Sequence, residues 1–244
     1  MRKALVVGGA NGIGLSIAFQ LAKQDVYEKI YIVDKVIVAK EFLNPKFESI
    51  QFDLMTEDFS IFDGFKDVDT LIITAGFGKL SLFKDVTEQY ITSSFSVNTI
   101  APMRIIHHFM DKLSGIEDFR CGVMVSIAGF MSSPFFAVYG ATKAALKIFI
   151  ESVNVELEKN GSNNRILNVS PGSIKGTSFN NGKTDLSITE KLAKEIIEHL
   201  EAKDDIFIPQ YEEIFRDVLA RYQVDFREEG RHSYEYKLKS HRIK

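Results

Sequence analysis

Ala4-Leu5-Val6-Val7-Gly8-Gly9-Ala10-Asn11-Gly12-Ile13-Gly14 is the stretch that decides the fold. Four consecutive apolar residues suit a parallel strand covered on both faces. Glycines follow at once, and then Leu15, Ile17, Ala18, Leu21 and Ala22 recur along one helix face. Strand, glycine turn and helix in this order form the setting of a dinucleotide-binding loop. The glycines allow a tight turn and a close approach of backbone to a pyrophosphate, and the helix N-terminus offers unpaired N–H groups to that anion. The spacing is Gly8-x-x-x-Gly12-x-Gly14. An ordinary turn between strand and helix is the competing reading, and the flanking pattern favours the nucleotide.

The same alternation continues along the chain. Apolar runs predict strands at Ala4–Val7, Ile30–Val33, Ser49–Phe52, Thr70–Thr74, Gly122–Ser126, Ile166–Val169 and Ile206–Ile208. Helical spacing predicts helices at Gly14–Gln24, Val97–Leu113, Tyr139–Lys159, Thr189–Ala202 and Tyr211–Tyr222, while Lys35–Glu48 is too short and irregular for one. Strands alternating with helices imply an α/β fold: a Rossmann-type doubly wound parallel β-sheet flanked by helices on both faces. No repeat, linker or low-complexity tract divides residues 1–244, so one domain is expected. The charged tail at about 225–244 reads as solvated and partly frayed.

Bulk properties narrow the function class. A chain of 244 residues with 45% hydrophobic residues can bury a sizeable core. The net charge of −3 gives no general attraction to nucleic acid or to an anionic membrane. One cysteine, Cys121, cannot form an internal disulfide, which suits a reducing compartment. No apolar run approaches the ~20 residues of a membrane span, and the run behind Met1-Arg2-Lys3 is cut short by glycine. A cytoplasmic protein with no nucleic-acid partner, no membrane partner and no metal is expected.

Tyr139-Gly140-Ala141-Thr142-Lys143 carries the chemistry. On a helix, positions i and i+4 share a face. An ammonium beside a phenol favours the phenolate and lowers the tyrosine's pKa. Such a phenol can exchange a proton with an alcohol or carbonyl oxygen. Alone, the pattern more often means a surface lysine one turn from a half-buried tyrosine, so its company decides. Ser126 ends the fifth strand thirteen residues upstream, where strand end and helix start meet at one crevice. Asn98 sits near the start of the helix expected at Val97, where a plain N-cap competes as an explanation. Asp34 follows the second strand, placed to accept hydrogen bonds from an adenosine ribose and to repel a 2′-phosphate, with Lys35 as a partial offset. Asp53 closes the third strand and suits the adenine amino group, and Ala75-Gly76 closes the fourth with small residues against the adenosine.

At this point the sequence resembles the short-chain dehydrogenase/reductase family of the single-domain kind, from Arg2 to about Thr177 and more loosely to Pro209. Gly8, Gly12 and Gly14 match its Thr-Gly-x-x-x-Gly-x-Gly loop. Asn98, Ser126, Tyr139 and Lys143 match its Asn-Ser-Tyr-Lys tetrad, and Pro171-Gly172 matches its Pro-Gly turn, with Thr177 as the carboxamide threonine. Val7 stands in place of the usual threonine, Ile73-Thr74 replaces Asn-Asn and so loses side chains that brace the sheet, and Thr177 lies one residue late. The resemblance implies hydride exchange between NAD (or NADP) and a small alcohol or carbonyl substrate. Tyr139 would be general acid/base, Lys143 would lower its pKa and bond the nicotinamide ribose, and Ser126 would hold the substrate oxygen. Asn98 would support a water linking Lys143 to solvent. The implied cofactor contacts add Asn11, Ile13, Leu54 and Ile174 to Gly8, Gly12, Gly14, Asp34, Asp53, Ala75, Gly76, Asn98, Tyr139, Lys143, Pro171, Gly172 and Thr177.

Two other functions compete: a non-catalytic dinucleotide-binding sensor on the same fold, and a nucleotide-sugar epimerase or dehydratase. The complete tetrad argues against the first, and the short remainder after Pro209 against the second. Phe130, Met131, Phe135 and Phe136 read equally as pocket wall or as core. The polar loop Ser173–Ser187 suits a substrate lid. Ile100, Met103, Ile106, Phe109, Leu146, Phe149, Ile150, Val153, Val155 and Leu157 exceed what one face against a sheet requires, which predicts a homodimer or homotetramer. The alternative is that Tyr211–Tyr236 folds back over that surface.

Overall fold

The computed structural model describes residues 1–177, 179 and 183–239. Its centre is a seven-stranded, all-parallel sheet of order β3-β2-β1-β4-β5-β6-β7. The strands are β1 (Arg2–Val7), β2 (Tyr27–Asp34), β3 (Phe47–Gln51), β4 (Thr70–Ile73), β5 (Arg120–Met124), β6 (Ile166–Val169) and β7 (Ile206–Phe207). All seven expected strands are present. The inner strands are covered on both faces, β4 and β6 being buried at every position, whereas the edge strand β3 is mostly exposed. One core layer packs Leu5, Val7, Leu71 and Val123 against Ile105, Leu146 and Ile150, and the other packs Val6, Ile32 and Ile72 against Ile17, Leu21 and Ile196. Each such side chain contributes about 1.5–3 kcal/mol on burial. Sequential strands run outward from β1 to β3, and the chain then returns to place β4 on the other side of β1. That reversal opens a crevice beyond the C-terminal ends of β1 and β4.

The helices are α1 (Gly12–Ala22), α2 (Glu88–Phe95), α3 (Ala101–His108), α4 (Met110–Ser114), α5 (Ala137–Lys159), α6 (Leu186–Glu201), α7 (Arg216–Val224) and α8 (Phe226–Lys239). Three expectations need correction. The helix expected at Val97–Leu113 starts nine residues earlier, at Glu88, where the Thr87 hydroxyl accepts from the Tyr90 N–H at 3.2 Å. It is broken by a π turn at Ser96–Ile100 and again at Phe109. The helix expected at Tyr211–Tyr222 opens as a π turn, Tyr211–Phe215, and continues as α7. The tail expected to fray is helical through Lys239, with Asp225 accepting from the N–H groups of Arg227 and Glu228 at its start. The tail beyond Lys239 lies outside the described residues.

Candidate active site

The glycine turn leaves β1 in a conformation that only glycine adopts freely. Gly8 has φ +83°, and a Cβ there would lie 2.4 Å from the Ala75 nitrogen. At Gly14 a Cβ would lie 2.4 Å from both the Gly8 oxygen and the Thr74 hydroxyl. The turn is therefore pressed onto the end of β4. Thr74 fastens it: its hydroxyl donates to the Gly8 oxygen at 2.9 Å and reaches the Val7 oxygen at 3.3 Å. The bracing expected to be lost at Ile73-Thr74 is supplied by Thr74 itself. From the other side the Asp34 carboxylate accepts from the Ala10 N–H at 3.0 Å, so Asp34 also shapes the turn.

Two cavities meet at this turn. One, of about 360 Å³, is lined by Gly8, Asn11, Asp34, Asp53, Leu54, Ala75 and Gly76. Lys35, expected to offset Asp34, instead pairs with Asp53 at 2.9 Å. Asp53 also accepts from the Met55 N–H at 3.0 Å; that bond first, and Lys35 second, hold its carboxyl below the usual range. The second cavity, of about 650 Å³, is lined by Gly12, Ile13, Gly14, Ser126, Tyr139, Lys143, Pro171, Gly172, Ile174 and Thr177, and shares Gly8, Asn11 and Gly76 with the first. Thr177 packs beside Gly12, whose Cβ would lie 3.5 Å from the threonine Cβ. Among the residues selected for catalysis or cofactor binding, Asn98 alone lines neither cavity. Part of the expected lid, at 178 and 180–182, lies outside the described residues.

Tyr139 and Lys143 stand one turn apart on α5, both buried, with the Lys143 ammonium 5.8 Å from the Tyr139 ring centroid. Lys143 Nζ donates to the Met124 oxygen at the end of β5, at 2.8 Å. Burial alone pushes its ammonium down to about 7. The Tyr139 phenol is pushed up to about 12, chiefly by burial, while a hydrogen bond with Ser126 opposes the rise. In this arrangement desolvation dominates both groups, and Lys143 is not among the groups that shift the Tyr139 phenol. Ser126 is held by strand end and turn, its hydroxyl accepting from the Ala128 N–H at 3.2 Å and lying 3.4 Å from the Pro171 oxygen. Asn98 is fully buried inside the π turn and is not an N-cap. Its amide exchanges two hydrogen bonds with the Phe77 backbone, at 2.9 and 2.8 Å, and donates to Thr142 at 3.2 Å. A Cβ on Gly76 would lie 3.2 Å from Asn98 Oδ1 and 3.4 Å from Lys143 Nζ, so all three meet at one point.

The aromatic stretch before Tyr139 divides. Met131 and Phe136 line the larger cavity. Phe135 is buried against Tyr234 of α8, with ring centroids 4.6 Å apart. Phe130 lies under the Lys147 ammonium at 4.9 Å. Sequence reasoning missed the far wall altogether: Phe215, Val218, Tyr236 and Lys237, from the C-terminal helices, close the cavity. Lys237 Nζ donates to Ser133 Oγ at 2.7 Å and to the Pro134 oxygen at 2.8 Å. The C-terminal segment folds onto this turn. Most of the supposed surplus apolar residues lie within the core of the chain itself: Ile106, Phe109, Leu146, Ile150, Val153 and Leu157 are buried, whereas Ile100 and Val155 are exposed.

A family model described as short chain dehydrogenase matches residues 2–187. Among curated relatives, 17-beta-hydroxysteroid dehydrogenase type 1 of Homo sapiens is 28% identical over 170 residues, covering 63% of this chain and 51% of that protein. The probable short-chain type dehydrogenase/reductase VdlC of Helicobacter pylori is 26% identical over 196 residues, covering 76% and 71%. The uncharacterized oxidoreductase TDA5 of Saccharomyces cerevisiae is 25% identical, with 72% and 56% covered. The matched stretch thus spans about half the length of two of these relatives. In shape, the chain is similar to the bulky-bulky ketone specific alcohol dehydrogenase from Comamonas testosteroni, with TM-score 0.73, 22% identity, and 96% and 94% covered. It is equally similar to a short-chain dehydrogenase from Sphingobium yanoikuyae in complex with NADPH, with TM-score 0.73, 19% identity, and 92% and 96% covered. Among the described residues no helix is long and apolar enough to cross a membrane.

Proposed function

The chain belongs to the short chain dehydrogenase family, and from that premise we propose that it is an NAD(P)-dependent oxidoreductase acting between an alcohol and its carbonyl compound. The observation that carries this reading is the convergence of the Tyr139 phenol, the Ser126 hydroxyl and the Lys143 ammonium in one cavity that also contains the glycine turn. A dinucleotide fits the residues present: the glycine turn leaves no room for side chains, and Asp34 and Asp53 stand at the strand ends of the neighbouring cavity. When bound, the nicotinamide supplies or accepts the hydride. Ser126 orients the substrate oxygen, and Tyr139 gives that oxygen a proton or removes one. Lys143, anchored on Met124, stands one helical turn from the phenol and donates from its amino group there. Asn98 fixes the Phe77 backbone and Thr142 next to Lys143, a structural duty beside the water-holding one the family resemblance implies. Incubation with NADH and a panel of ketones, followed by NADH fluorescence, tests the reading. Cofactor binding without turnover on any ketone or alcohol would favour the sensor.

Solved neighbours of this fold were captured with NADP, NADPH or 5-hydroxy-NADP, yet the residues here favour NAD(H). Asp34 lines the smaller cavity, and Lys35, its neighbour in the chain, forms an exposed ion pair with Asp53. A 2′-phosphate there would meet the Asp34 carboxylate, with Lys35 shared with Asp53. NAD(H) is expected to bind at least tenfold more tightly than NADP(H). Asp34→Ala narrows the gap but weakens both cofactors, because the Ala10 N–H loses its acceptor. Titration of both cofactors into both proteins decides it, and tighter NADP(H) binding by the unmodified chain would refute the preference.

Assembly is a further part of the reading. Ile148 and Val155 project from α5 and Ile100 from the π turn before α3, each roughly half exposed. A symmetric homo-oligomer, at minimum a dimer, would bury them. Light scattering at micromolar concentration should give a multiple of 27.6 kDa; the mass of one chain would sink the proposal.

A further inference from the structure

The start of α5, which carries Tyr139, is held from an unexpected direction. Phe135 has φ +67°, a left-handed conformation rare for a bulky residue, and its side chain is buried. Such a residue persists only where its surroundings over-determine it, and such strain clusters at functional sites. The Ser81 N–H donates to the Phe135 oxygen at 2.9 Å, and the Phe136 N–H donates to the Ser133 oxygen at 2.8 Å. The remaining restraints come from α8, about a hundred residues further along. The Tyr234 ring packs on Phe135 with centroids 4.6 Å apart. Lys237 Nζ bonds Ser133 Oγ and the Pro134 oxygen and lies 5.5 Å from the Phe136 ring centroid.

The turn leads directly to the phenol. The Gly140 N–H donates to the Phe136 oxygen at 2.7 Å in the first turn of α5. The Phe136 ring lies 5.3 Å from the Tyr139 ring. We propose that Tyr234 and Lys237 of α8 are positioning residues for Tyr139: they clamp the strained Ser133–Phe136 turn and so fix where the phenol stands at the mouth of the cavity. This rests on Tyr139 being the acid/base group. Burial pushes the Lys237 ammonium down to about 8. Its partly buried head meets the turn through the bonds to Ser133 and Pro134. A helix that merely walled the cavity would need neither the bonds to the Ser133 hydroxyl and Pro134 carbonyl nor the ring on the strained residue.

The test compares Lys237→Met, Tyr234→Leu and Lys237→Arg with the unmodified chain. A group misplaced by about 1 Å can lose up to about a hundredfold in rate. Lys237→Met and Tyr234→Leu are therefore expected to lower kcat roughly tenfold or more, with KM and the NAD(H) dissociation constant within about twofold. Lys237→Arg, which still donates to both oxygens, should restore most of kcat. Amide hydrogen exchange at Ser81 and Gly140 should quicken in Lys237→Met and return to its original rate in Lys237→Arg. A raised KM at unchanged kcat would make α8 only a wall and overturn the clamp, as would unchanged exchange at both amides. If Tyr139→Phe leaves turnover intact, the acid/base assignment fails instead, and exchange alone then decides whether α8 clamps the turn.

Discussion

Tyr139→Phe is expected to lower turnover by about 10²–10⁴-fold, the range typical of a lost general acid–base group. The substitution removes one oxygen and keeps the ring, which packs against Phe136 and Phe179. Fold and cofactor affinity should therefore persist, and the loss should fall on kcat. The hydroxyl is also the partner of Ser126, so part of the loss reflects a substrate oxygen held by one group in place of two. Direction matters as well. With the phenol pushed up to about 12, it is protonated at neutral pH and ready to donate to a carbonyl oxygen. Alcohol oxidation needs the phenolate, so its rate should rise with pH while carbonyl reduction does not. Steady-state assays in both directions check this. Near-full activity in Tyr139→Phe would remove the proposed mechanism.

The inner strands of the sheet were readable in the sequence because burial on both faces turns them into mostly apolar runs bounded by turn residues, as in β4. The glycine turn was readable because its spacing is enforced by contacts that a Cβ would destroy, as Gly8 against Ala75 shows. The convergence of Ser126 with Tyr139 followed from where strand ends and helix starts meet. What stayed hidden depends on contacts distant in the chain. Nothing local distinguishes Thr74 from any other threonine at a strand end; its bracing role exists only once β4 lies beside β1. The pairing of Lys35 with Asp53 likewise needs β2 and β3 side by side.

Helix ends failed for local reasons. Thr87-Glu88 is an N-cap signal that the polar Glu88–Ser94 stretch obscured, since α2 has little apolar face to reveal its period. The π turn at Ser96–Ile100 shifts the helix phase by one residue, and no periodicity test built on 3.6 residues recovers it. That shift aims Asn98 inward, which is why a side chain that looked like a cap is fully buried. The helix α8 looked like a solvated tail because charges surround it on most sides. Its few inward contacts, through Tyr234 and Lys237, are invisible without the turn they grip.

Lys143→Met is expected to make the ligand-free protein more stable and the enzyme inactive. Burial alone pushes the Lys143 ammonium down to about 7 from an ordinary value of 10.5. Below pH 7 both folded and unfolded chains hold this proton, and the folded state bears the full cost of a buried charge. Between pH 7 and 10.5 only the unfolded chain still holds it, so stability from this group rises with pH across that window. At one pKa unit per about 1.4 kcal/mol, the burden below pH 7 is on the order of a few kcal/mol. Methionine fills the space without charge but leaves the Met124 carbonyl without its donor, which costs about 1–3 kcal/mol. The charge term is the larger, so the variant should melt several degrees higher near pH 6, at about 2–4 °C per kcal/mol for a chain of this size. That advantage should shrink and then reverse as the pH approaches 10, where the unmodified lysine is neutral in the fold and only the lost hydrogen bond remains. Thermal melts of both proteins from pH 6 to 10 check the sign. An equal or lower melting temperature at pH 6, or a difference independent of pH, would mean that Lys143 is not strained by its burial. Turnover of the same variant should fall by at least about a hundredfold, since the charge that destabilises the fold is the one that stands beside the phenol.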